Sequence, residues 1–167
     1  MRTQALVVGG RGLMGQWFCS FLDSMGHDVV TVDPRGPTKG HRRAPTIAEA
    51  CGELGAHDAL LVCTSMEAAP RALAEVRASA TEALVADICS IKDPVTPELR
   101  RMAKAGMKVA SLHPMWGPDA VLLSDKNLLV LDCGSPAAVR DAKALFRGTA
   151  VKVHDLPLAS HDKLMAW

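Results

Sequence analysis

The segment Val7–Gly15, VVGGRGLMG, constrains the fold of this chain more than any other. It connects a short apolar run, Ala5–Val8, to a stretch in which Leu13, Trp17 and Phe21 recur at helical spacing. The predicted order is therefore a buried strand, a tight glycine turn and an amphipathic helix. Such a unit is typical of the start of a domain in which strands and helices alternate.

The remainder of the chain continues this alternation. Further apolar runs predict strands at 28–33, 59–65, 83–88, 107–112, 127–132 and 150–156. Amphipathic stretches predict helices at 13–25, 46–54, 66–80, 96–106 and 135–148. Two segments rich in turn residues, 34–45 and 111–120, are predicted to be loops. The predicted fold class is therefore α/β, with a doubly wound, mostly parallel Rossmann-type sheet that carries helices on both faces.

The length of 167 residues suits a single domain of this class. We assign residues 1–155 to that domain. Residues 156–167 have helical periodicity without a terminating glycine, so we expect them to begin a helix that leads into a further domain.

Composition argues against several classes of partner. The formal net charge is +1, from 19 Lys and Arg against 18 Asp and Glu, so electrostatics favours neither nucleic acid nor an anionic membrane. No apolar stretch approaches the roughly 20 residues of a membrane span. The 5 cysteines include no C-x-x-C pair, which argues against a disulfide framework and a metal site. Free thiols indicate the cytoplasm.

The glycines of the first turn follow the pattern Gly10-x-Gly12-x-x-Gly15. In this context Gly10 permits a tight turn, Gly12 lets backbone N–H groups approach a pyrophosphate, and Gly15 lets the helix pack closely on the sheet. The helix N-terminus adds free N–H donors and a partial positive charge. We therefore predict a dinucleotide site here. Its other predicted contacts in this segment are Arg11, Leu13 and Met14.

Asp33, at the end of the second predicted strand, is the predicted ribose contact. A carboxylate at this position accepts hydrogen bonds from the adenine-ribose hydroxyls and repels a 2′-phosphate, which favours NAD over NADP. Arg35 follows closely and weakens that preference without reversing it. The predicted cofactor is therefore NAD, with NADP as the less favoured alternative.

Two further loops leave the carboxyl ends of predicted strands, where ligands bind in doubly wound sheets. Cys63, Thr64 and Ser65 end the third strand and are predicted to line the cofactor, although Ser65 equally suits a cap of the next helix. Cys89 and Ser90 follow the fourth strand and are predicted cofactor contacts as well, although Ser90 equally suits a turn or the cap of a helix.

A candidate general base follows the fifth predicted strand. Among the 6 histidines only His113 lies at the carboxyl end of a strand and precedes a proline. An ordinary histidine pKa of about 6.5 suits a base at neutral pH. Nearby, Asp87 suits the cap of a turn, and Lys92 suits a solvated surface better than an anion contact. His161 is interpreted as a packing or surface residue.

Five segments, taken in order, resemble the prephenate dehydrogenase family. They are VVGGRGLMGQWF, GHDVVTVD, VADICSIK, SLHPMWGPDA and SHDKLMAW. The similarity is greatest to the dehydrogenase part of bifunctional chorismate mutase–prephenate dehydrogenases, and it covers only the N-terminal cofactor-binding domain of such enzymes. The glycine loop is shared by many families. The combination of Asp-x-x-Ser-x-Lys with His-Pro-Met-aromatic-Gly-Pro is much more selective.

The resemblance implies a reaction and two catalytic residues. His113 matches the family's catalytic histidine, and Ser90 matches the serine that helps to hold the substrate hydroxyl. The implied reaction is NAD-dependent oxidative decarboxylation of a cyclohexadienyl substrate, which is prephenate, arogenate or 4-amino-4-deoxyprephenate. The implied pathway is tyrosine biosynthesis or a related secondary pathway.

The chain departs from the family pattern in two ways. Trp116 stands where phenylalanine is commoner. The resemblance does not extend to the family's helical C-terminal domain, which supplies the dimer interface and an arginine for a substrate carboxylate, so we expect a homodimer only where that domain is present. The alternative function is therefore a dinucleotide-binding module without catalytic activity of its own. Other Rossmann dehydrogenases, such as imine reductases, generally lack the loop that contains His113.

Overall fold

The computed structural model describes residues 3–166, and its elements follow the predicted alternation. The strands are β1 (Gln4–Val8), β2 (Asp28–Val32), β3 (Arg42–Arg43), β4 (Ala59–Val62), β5 (Leu84–Asp87), β6 (Val109–Pro114), β7 (Asn127–Asp132) and β8 (Lys152–Pro157). The helices are α1 (Leu13–Ser24), α2 (Ile47–Gly52), α3 (Ala69–Ala78), α4 (Thr96–Lys104), α5 (Pro136–Ala144) and α6 (His161–Met165). A short 3-10 turn, Leu158–Ser160, precedes α6.

Within these residues, eight strands form one sheet in the order β3-β2-β1-β4-β5-β6-β7-β8. Neighbouring strands are parallel except β6 and β7, which run antiparallel. The chain leaves β1 for β2 on one side and then crosses to β4 on the other side. The carboxyl ends of β1 and β4 therefore border the point where the winding reverses, which is where ligands bind in sheets of this class.

Helices cover both faces of the sheet, which confirms the doubly wound arrangement. One face packs against α1 and α5 through residues such as Phe18, and the other packs against α2, α3 and α4 through residues such as Leu99. Val7 of β1 belongs to the first apolar layer and Leu6 to the second, as the two-residue period of a strand requires. Because most strands are buried on both faces, their sequences are continuous apolar runs.

The segment 34–45, predicted to be a loop, contains the edge strand β3. The two exposed arginines of β3 pair with Val30 and Thr31 of β2. A strand this short and this exposed needs no apolar alternation, so nothing in the local sequence pattern marks it.

The segment 111–120 is only partly a loop, because Ser111–Pro114 belong to β6. Pro114 is the last residue of the strand, where its missing N–H is tolerated. His113 pairs with Leu129 of β7, and the next residue after the strand, Met115, donates its N–H to Asn127 O at 2.9 Å. The antiparallel ladder to β7, rather than a kinked loop, therefore holds the backbone of His113.

The helix expected over 156–167 begins later than predicted. Strand β8 extends to Pro157, and α6 starts at His161 after the 3-10 turn. Trp167 lies outside the described residues. No helix in the described part of the chain combines the length and the apolar character that crossing a bilayer would need.

Candidate active site

The glycine turn between β1 and α1 lies at the point where the winding of the sheet reverses. Gly9 has a φ of +87°, and a Cβ at this residue would lie 2.8 Å from Cys63 O. The left-handed residue of the turn is therefore Gly9 and not Gly10, to which the glycine motif assigned the turn. Residue 10 is glycine for a steric reason instead, because a Cβ there would lie only 2.7 Å from Thr38 Oγ1.

The N-terminus of α1 is open to a ligand. Gly12 is the N-cap, and no side chain among the described residues caps the first turn. A Cβ on Gly15 would lie 2.1 Å from Gly9 O, so α1 approaches the turn closely only because residue 15 is glycine. Uncapped N–H groups and the helix dipole make this end suitable for an anion. The glycine turn and the open helix end together fit the pyrophosphate of a dinucleotide.

Asp33 directly follows β2, and its buried carboxylate is hydrogen-bonded by Arg11 and Arg35. It accepts hydrogen bonds from the backbone N–H of Arg11 and of Arg35, each at 2.9 Å. The guanidinium of Arg35 also donates to it, from Nε at 3.0 Å and from Nη2 at 2.9 Å. These hydrogen bonds, chiefly those from the Arg35 side chain, lower the pKa of Asp33 to about 2. The predicted ribose contact is thus ionised, and Arg35 is its partner.

The predicted cofactor contacts after β4 and β5 differ in exposure. Cys63 and Cys89 are buried, Thr64 is half-buried, and Ser65 and Ser90 are exposed. Burial raises the pKa of the Cys63 thiol well above its usual range and that of Cys89 to about 12, so both thiols stay neutral. The buried cysteines can therefore contact a ligand only through their backbone. Ser65 Oγ accepts a backbone N–H at 3.4 Å, which agrees with its alternative role as a cap.

Large apolar side chains are exposed at this edge of the sheet, and four of them lie at the start of α1 and after three neighbouring strands. Leu13 begins α1, and Met66, Ile91 and Met115 follow β4, β5 and β6. Leu13 is the most exposed of the four, at 73%. Ser90 Oγ lies 3.9 Å from Met66 Sδ, so the loops after β4 and β5 are in contact. Apolar groups exposed together at one edge are typical of a surface that a ligand or another part of a protein covers.

His113 is half-buried and forms a pair with a second histidine. Its Nδ1 lies 2.8 Å from His161 Nε2, and His161 Nδ1 lies 2.6 Å from Asp162 Oδ1. His161 is completely buried, which corrects its interpretation as a possible surface residue. Pattern reasoning missed its role beside His113 and missed Asp162 altogether. The segment SHDKLMAW, which contributed to the family resemblance, was the available signal for both residues.

Lys92 is buried beneath the same edge, contrary to its interpretation as a solvated lysine. It is 1% exposed, and its ammonium donates to Asp87 Oδ2 at 2.9 Å and to Leu112 O at 2.7 Å. Asp87 also accepts the N–H of Cys89 at 2.9 Å, so it is both the expected turn cap and the counter-ion of Lys92. A buried ammonium requires such partners because its desolvation is costly.

The surroundings of His113 keep its imidazole neutral. Burial, followed by the electrostatic effects of Lys92 and His161, lowers the pKa of His113 to about 4, while the carboxylates of Asp87 and Asp162 oppose this shift. At neutral pH the ring therefore has one nitrogen without a proton, and that nitrogen can accept one.

Ser90 and His113 are connected only indirectly. Within residues 3–166 no hydrogen bond joins the two side chains. Asp162 accepts the backbone N–H groups of Lys92 at 2.9 Å and of Asp93 at 2.8 Å, so it holds the loop that carries Ser90. The same carboxylate contacts His161, the partner of His113. Asp162 thus links the two loops on which the predicted catalytic residues lie.

Trp116 joins an aromatic cluster that fixes the loop after His113. Its ring centroid lies 5.4 Å from that of Trp17 and 6.3 Å from that of Phe146. Trp17 Nε1 donates to Ala120 O at 2.7 Å, which attaches this loop to α1. Trp116, at a position where phenylalanine is commoner in the family, therefore packs with other aromatic rings, but its buried Nε1 has no hydrogen-bond partner within residues 3–166.

Comparison with known proteins supports the family resemblance. No family model matches the chain. The chain is 30% identical over 173 residues to the 4-amino-4-deoxyprephenate dehydrogenase of Streptomyces pristinaespiralis, which covers 98% of this chain and 57% of that protein. It is 24% identical over 162 residues to the T-protein of Enterobacter agglomerans, covering 97% of this chain and 40% of that protein. It is also 24% identical over 175 residues to a Methanocaldococcus jannaschii protein named "probable arogenate/prephenate dehydrogenase", covering 95% of this chain and 37% of that protein.

These relatives confirm the resemblance to the prephenate dehydrogenase family that the sequence motifs indicated. The chain spans only 37% to 57% of the length of the three proteins. The resemblance therefore concerns one part of each relative.

Two solved structures have the same fold over nearly the whole chain. The 3-hydroxyisobutyrate dehydrogenase of Mycobacterium tuberculosis has a TM-score of 0.79 at 22% identity and covers 99% of this chain and 59% of that one. The imine reductase of Myxococcus stipitatus has a TM-score of 0.79 at 16% identity, with the same coverage of 99% and 59%. At such identities the likeness concerns the fold alone, and it confirms the Rossmann-type arrangement.

Proposed function

We propose that this chain is the NAD-binding domain of a dehydrogenase that oxidatively decarboxylates prephenate, arogenate or 4-amino-4-deoxyprephenate. The observation that carries the proposal is His113, a neutral and half-buried histidine at the carboxyl end of β6. The parallel strands β1, β4, β5 and β6 bring this histidine to the same sheet edge as the glycine turn. The names of two relatives support the class of substrate.

The proposed NAD site uses the groups already described at this edge. The backbone of Gly10–Gly15, with Arg11, Leu13 and Met14, would hold the pyrophosphate, and Asp33 would bind the adenine ribose. Thr64, Ser65, Ser90 and the backbone of Cys63 and Cys89 would line the remainder. When bound, the nicotinamide ring accepts a hydride. The negative charge of Asp33 supports NAD rather than NADP, and the Arg35 guanidinium beside it reduces that preference.

His113 is the proposed general base. It accepts the proton of the hydroxyl at ring C4 while the hydride leaves the same carbon, and Ser90 Oγ hydrogen-bonds that hydroxyl. In 4-amino-4-deoxyprephenate an amino group replaces the C4 hydroxyl, so His113 would accept a proton from that amino group as the hydride leaves C4. Loss of the ring carboxylate as CO₂ then makes the ring aromatic. The carboxylates of a bound substrate would raise the pKa of His113 from about 4, so the base becomes stronger when its substrate is present.

We further propose that residues 1–155 form the cofactor domain and that 156–167 lead toward a second unit. That unit would supply the dimer interface and a cation for a substrate carboxylate. The buried free thiols support a reducing compartment such as the cytoplasm, and tyrosine biosynthesis or a related secondary pathway is the proposed context. Because the chain spans only part of each relative, a dinucleotide-binding module without activity of its own is the second candidate.

The proposal is tested with His113→Asn, and His154→Asn is the matched control. His154 is exposed on β8 and contacts Asn127 Oδ1 at 2.8 Å, so this change should leave turnover unaltered. His113→Asn should lower turnover with NAD by about 10²–10⁴-fold, because the proton acceptor is lost, and should leave the Kd for NAD unchanged.

Steady-state kinetics on each of the three substrates and a binding titration provide the measurements. Unchanged turnover in His113→Asn would remove His113 from the mechanism. NAD binding by the unaltered chain without turnover of any of the three substrates would favour the binding module.

A further inference from the structure

Three side chains next to the proposed base form a continuous hydrogen-bonded chain. His113 Nδ1 lies 2.8 Å from His161 Nε2, and His161 Nδ1 lies 2.6 Å from Asp162 Oδ1. His113 and His161 are 48 positions apart in sequence, on β6 and α6. His161 is completely buried, so its ring nitrogens depend on these two partners for hydrogen bonds.

The types of donor and acceptor determine where the hydrogens lie. An ionised carboxylate only accepts, so Asp162 requires a hydrogen on His161 Nδ1. A neutral His161 then has no hydrogen on Nε2 and must accept the Nδ1–H of His113. His113 is consequently left with a bare Nε2, which is the nitrogen a base needs.

Asp162, the last of the three hydrogen-bonded side chains, is held in place by backbone N–H groups. Asp162 Oδ2 accepts the N–H of Lys92 at 3.0 Å and that of Asp93 at 2.8 Å. Burial opposes ionisation of this carboxyl group, but these hydrogen bonds and the one from His161 lower the pKa of Asp162. Asp162 therefore stays an acceptor, and its orientation is fixed by the loop that carries Ser90.

We infer that His161 is a positioning residue that keeps His113 in the tautomer protonated at Nδ1, with Asp162 as the fixed end of the chain. In the proton step, the substrate O–H bond breaks and an N–H bond forms at His113 Nε2. The resulting imidazolium keeps its Nδ1–H bond to His161, and no proton moves onto His161. The catalytic meaning of this inference rests on the proposed function, whereas the tautomer is a property of the chain without substrate.

The tautomer is measured by NMR of the unaltered chain labelled with ¹⁵N in its histidine rings, at pH 7. The His113 signals, assigned by their loss in His113→Asn, should show a protonated Nδ1 and an unprotonated Nε2. A ¹⁵N–¹⁵N coupling across the hydrogen bond should connect His113 Nδ1 with His161 Nε2. A His113 ring protonated at Nε2, or the absence of this coupling, would overturn the inference. This test uses the unaltered chain, so it does not depend on whether a His161 variant folds.

Two substitutions of His161 then test whether this residue sets the tautomer of His113 or only fills space in the fold. His161→Leu removes the acceptor and should abolish the single Nδ1–H form of His113, whereas His161→Gln keeps an oxygen acceptor and should retain it. The tautomer of His154, an exposed histidine on β8, should be the same in all variants. An unchanged His113 tautomer in a folded His161→Leu variant would show that His161 does not set it.

Kinetics connect the tautomer with the proposed reaction. In a preparation that turns over substrate, His161→Leu should lower kcat by roughly ten- to a hundredfold, as loss of an orienting partner does elsewhere, with the Kd for NAD unchanged. His161→Gln should recover part of that loss. An equal kcat in His161→Leu would overturn the positioning role. If the chain shows the expected tautomer and binds NAD but turns over none of the substrates, the result would favour the binding module and would still support the hydrogen bonds among His113, His161 and Asp162.

Discussion

Two nitrogen-bearing side chains, Lys92 and His161, affect the protonation of His113. The Lys92 ammonium donates to the carbonyl of Leu112, the residue that precedes His113 in β6. Together with burial, these groups hold the pKa of His113 at about 4. At the scale of single residues, the site therefore has a base that is uncharged throughout the neutral pH range and a nearby cation, Lys92, that already has its own partner, Asp87.

We expect His113 to titrate with a midpoint near pH 4 in the absence of substrate. Its pKa in the folded chain lies below the ordinary value of about 6.5, so protonation favours the unfolded chain. The contribution of the neutral His113 ring to the free energy of unfolding is therefore complete above about pH 6.5. It is lost as the pH falls through about 4. NMR of the His113 ring protons gives the midpoint, and His113→Asn should weaken the pH dependence of the free energy of unfolding between these values. A midpoint near 6.5 would contradict this expectation.

Asp33 and Arg35 have opposite effects on the preference between the two cofactors, because the carboxylate favours NAD and the guanidinium reduces that preference. Arg35→Ala removes two hydrogen bonds to the carboxylate and the cation that offsets its charge. The ratio of the Kd for NADP to the Kd for NAD should therefore rise by about tenfold or more. Asp33→Asn should lower the same ratio. Arg71→Ala, which removes an exposed arginine of α3, is the control for net charge and should leave the ratio unchanged. A ratio unaffected by Asp33→Asn would exclude Asp33 from the ribose site.

At the scale of elements, the N-terminal half of α1 determines the geometry of the proposed cofactor site through two residues, Gly15 and Trp17. Its first turn approaches Gly9 O through Gly15, and Trp17 Nε1 holds the loop after β6 through Ala120 O. Asp162 provides a second connection, between α6 and the loop after β5. Close packing of a helix on its turn is therefore a requirement for the site as well as for the core.

Gly15→Ala should disrupt this element, and Gly52→Ala is the matched control. A Cβ at Gly15 would meet a backbone oxygen at 2.1 Å, so α1 must shift. The free energy of unfolding should fall by about 3 kcal/mol, and NAD binding should weaken at least tenfold. Gly52, in α2, has open space around its Cβ position, so its replacement should raise stability by about 0.5–1 kcal/mol. Denaturant titration measures both, and equal stability of the two variants would show that the close approach is not required.

At the scale of the whole molecule, the proposed ligand would bridge the two halves of the sheet. Asp33 follows β2 near one edge, and His113 lies on β6 beyond the centre, with the glycine turn between them. A ligand bound across this edge contacts loops from both halves and binds the folded chain only. Its binding energy therefore stabilises the entire domain.

NAD at a hundredfold excess over its Kd should raise the free energy of unfolding by about 2.7 kcal/mol. For a chain of this size the corresponding increase in Tm is roughly 5–10 °C. Thermal unfolding with and without NAD provides the measurement, and nicotinamide alone at the same concentration is the control, because it lacks the pyrophosphate and the adenosine. No increase in Tm at a saturating NAD concentration would contradict the dinucleotide site in both candidate functions.

Much of the fold could be predicted from the sequence because the relevant signals are local. The apolar runs, the amphipathic stretches and the glycine turn each specify an element without reference to distant residues, and most of the predicted elements are present in the structure. The rule that ligands bind at the carboxyl ends of parallel strands then placed Asp33, Ser90 and His113 at one edge. Two errors, at β3 and at Ser111–Pro114, arose because pairing with a neighbouring strand outweighs the local turn signal. A third is the helix expected from residue 156, which begins at His161 because β8 extends to Pro157.

By itself, the sequence determined the alternating α/β pattern, the glycine turn before α1 and the position of His113 at the end of a strand. These features depend on side-chain period and on backbone freedom, which act over a few residues. Only the tertiary structure decided that Lys92 is buried against Asp87 and that His161 and Asp162 lie behind His113. These contacts join residues that are distant in sequence, and the proton positions and charges at the site follow from them because a buried polar group takes its state from the partners it meets.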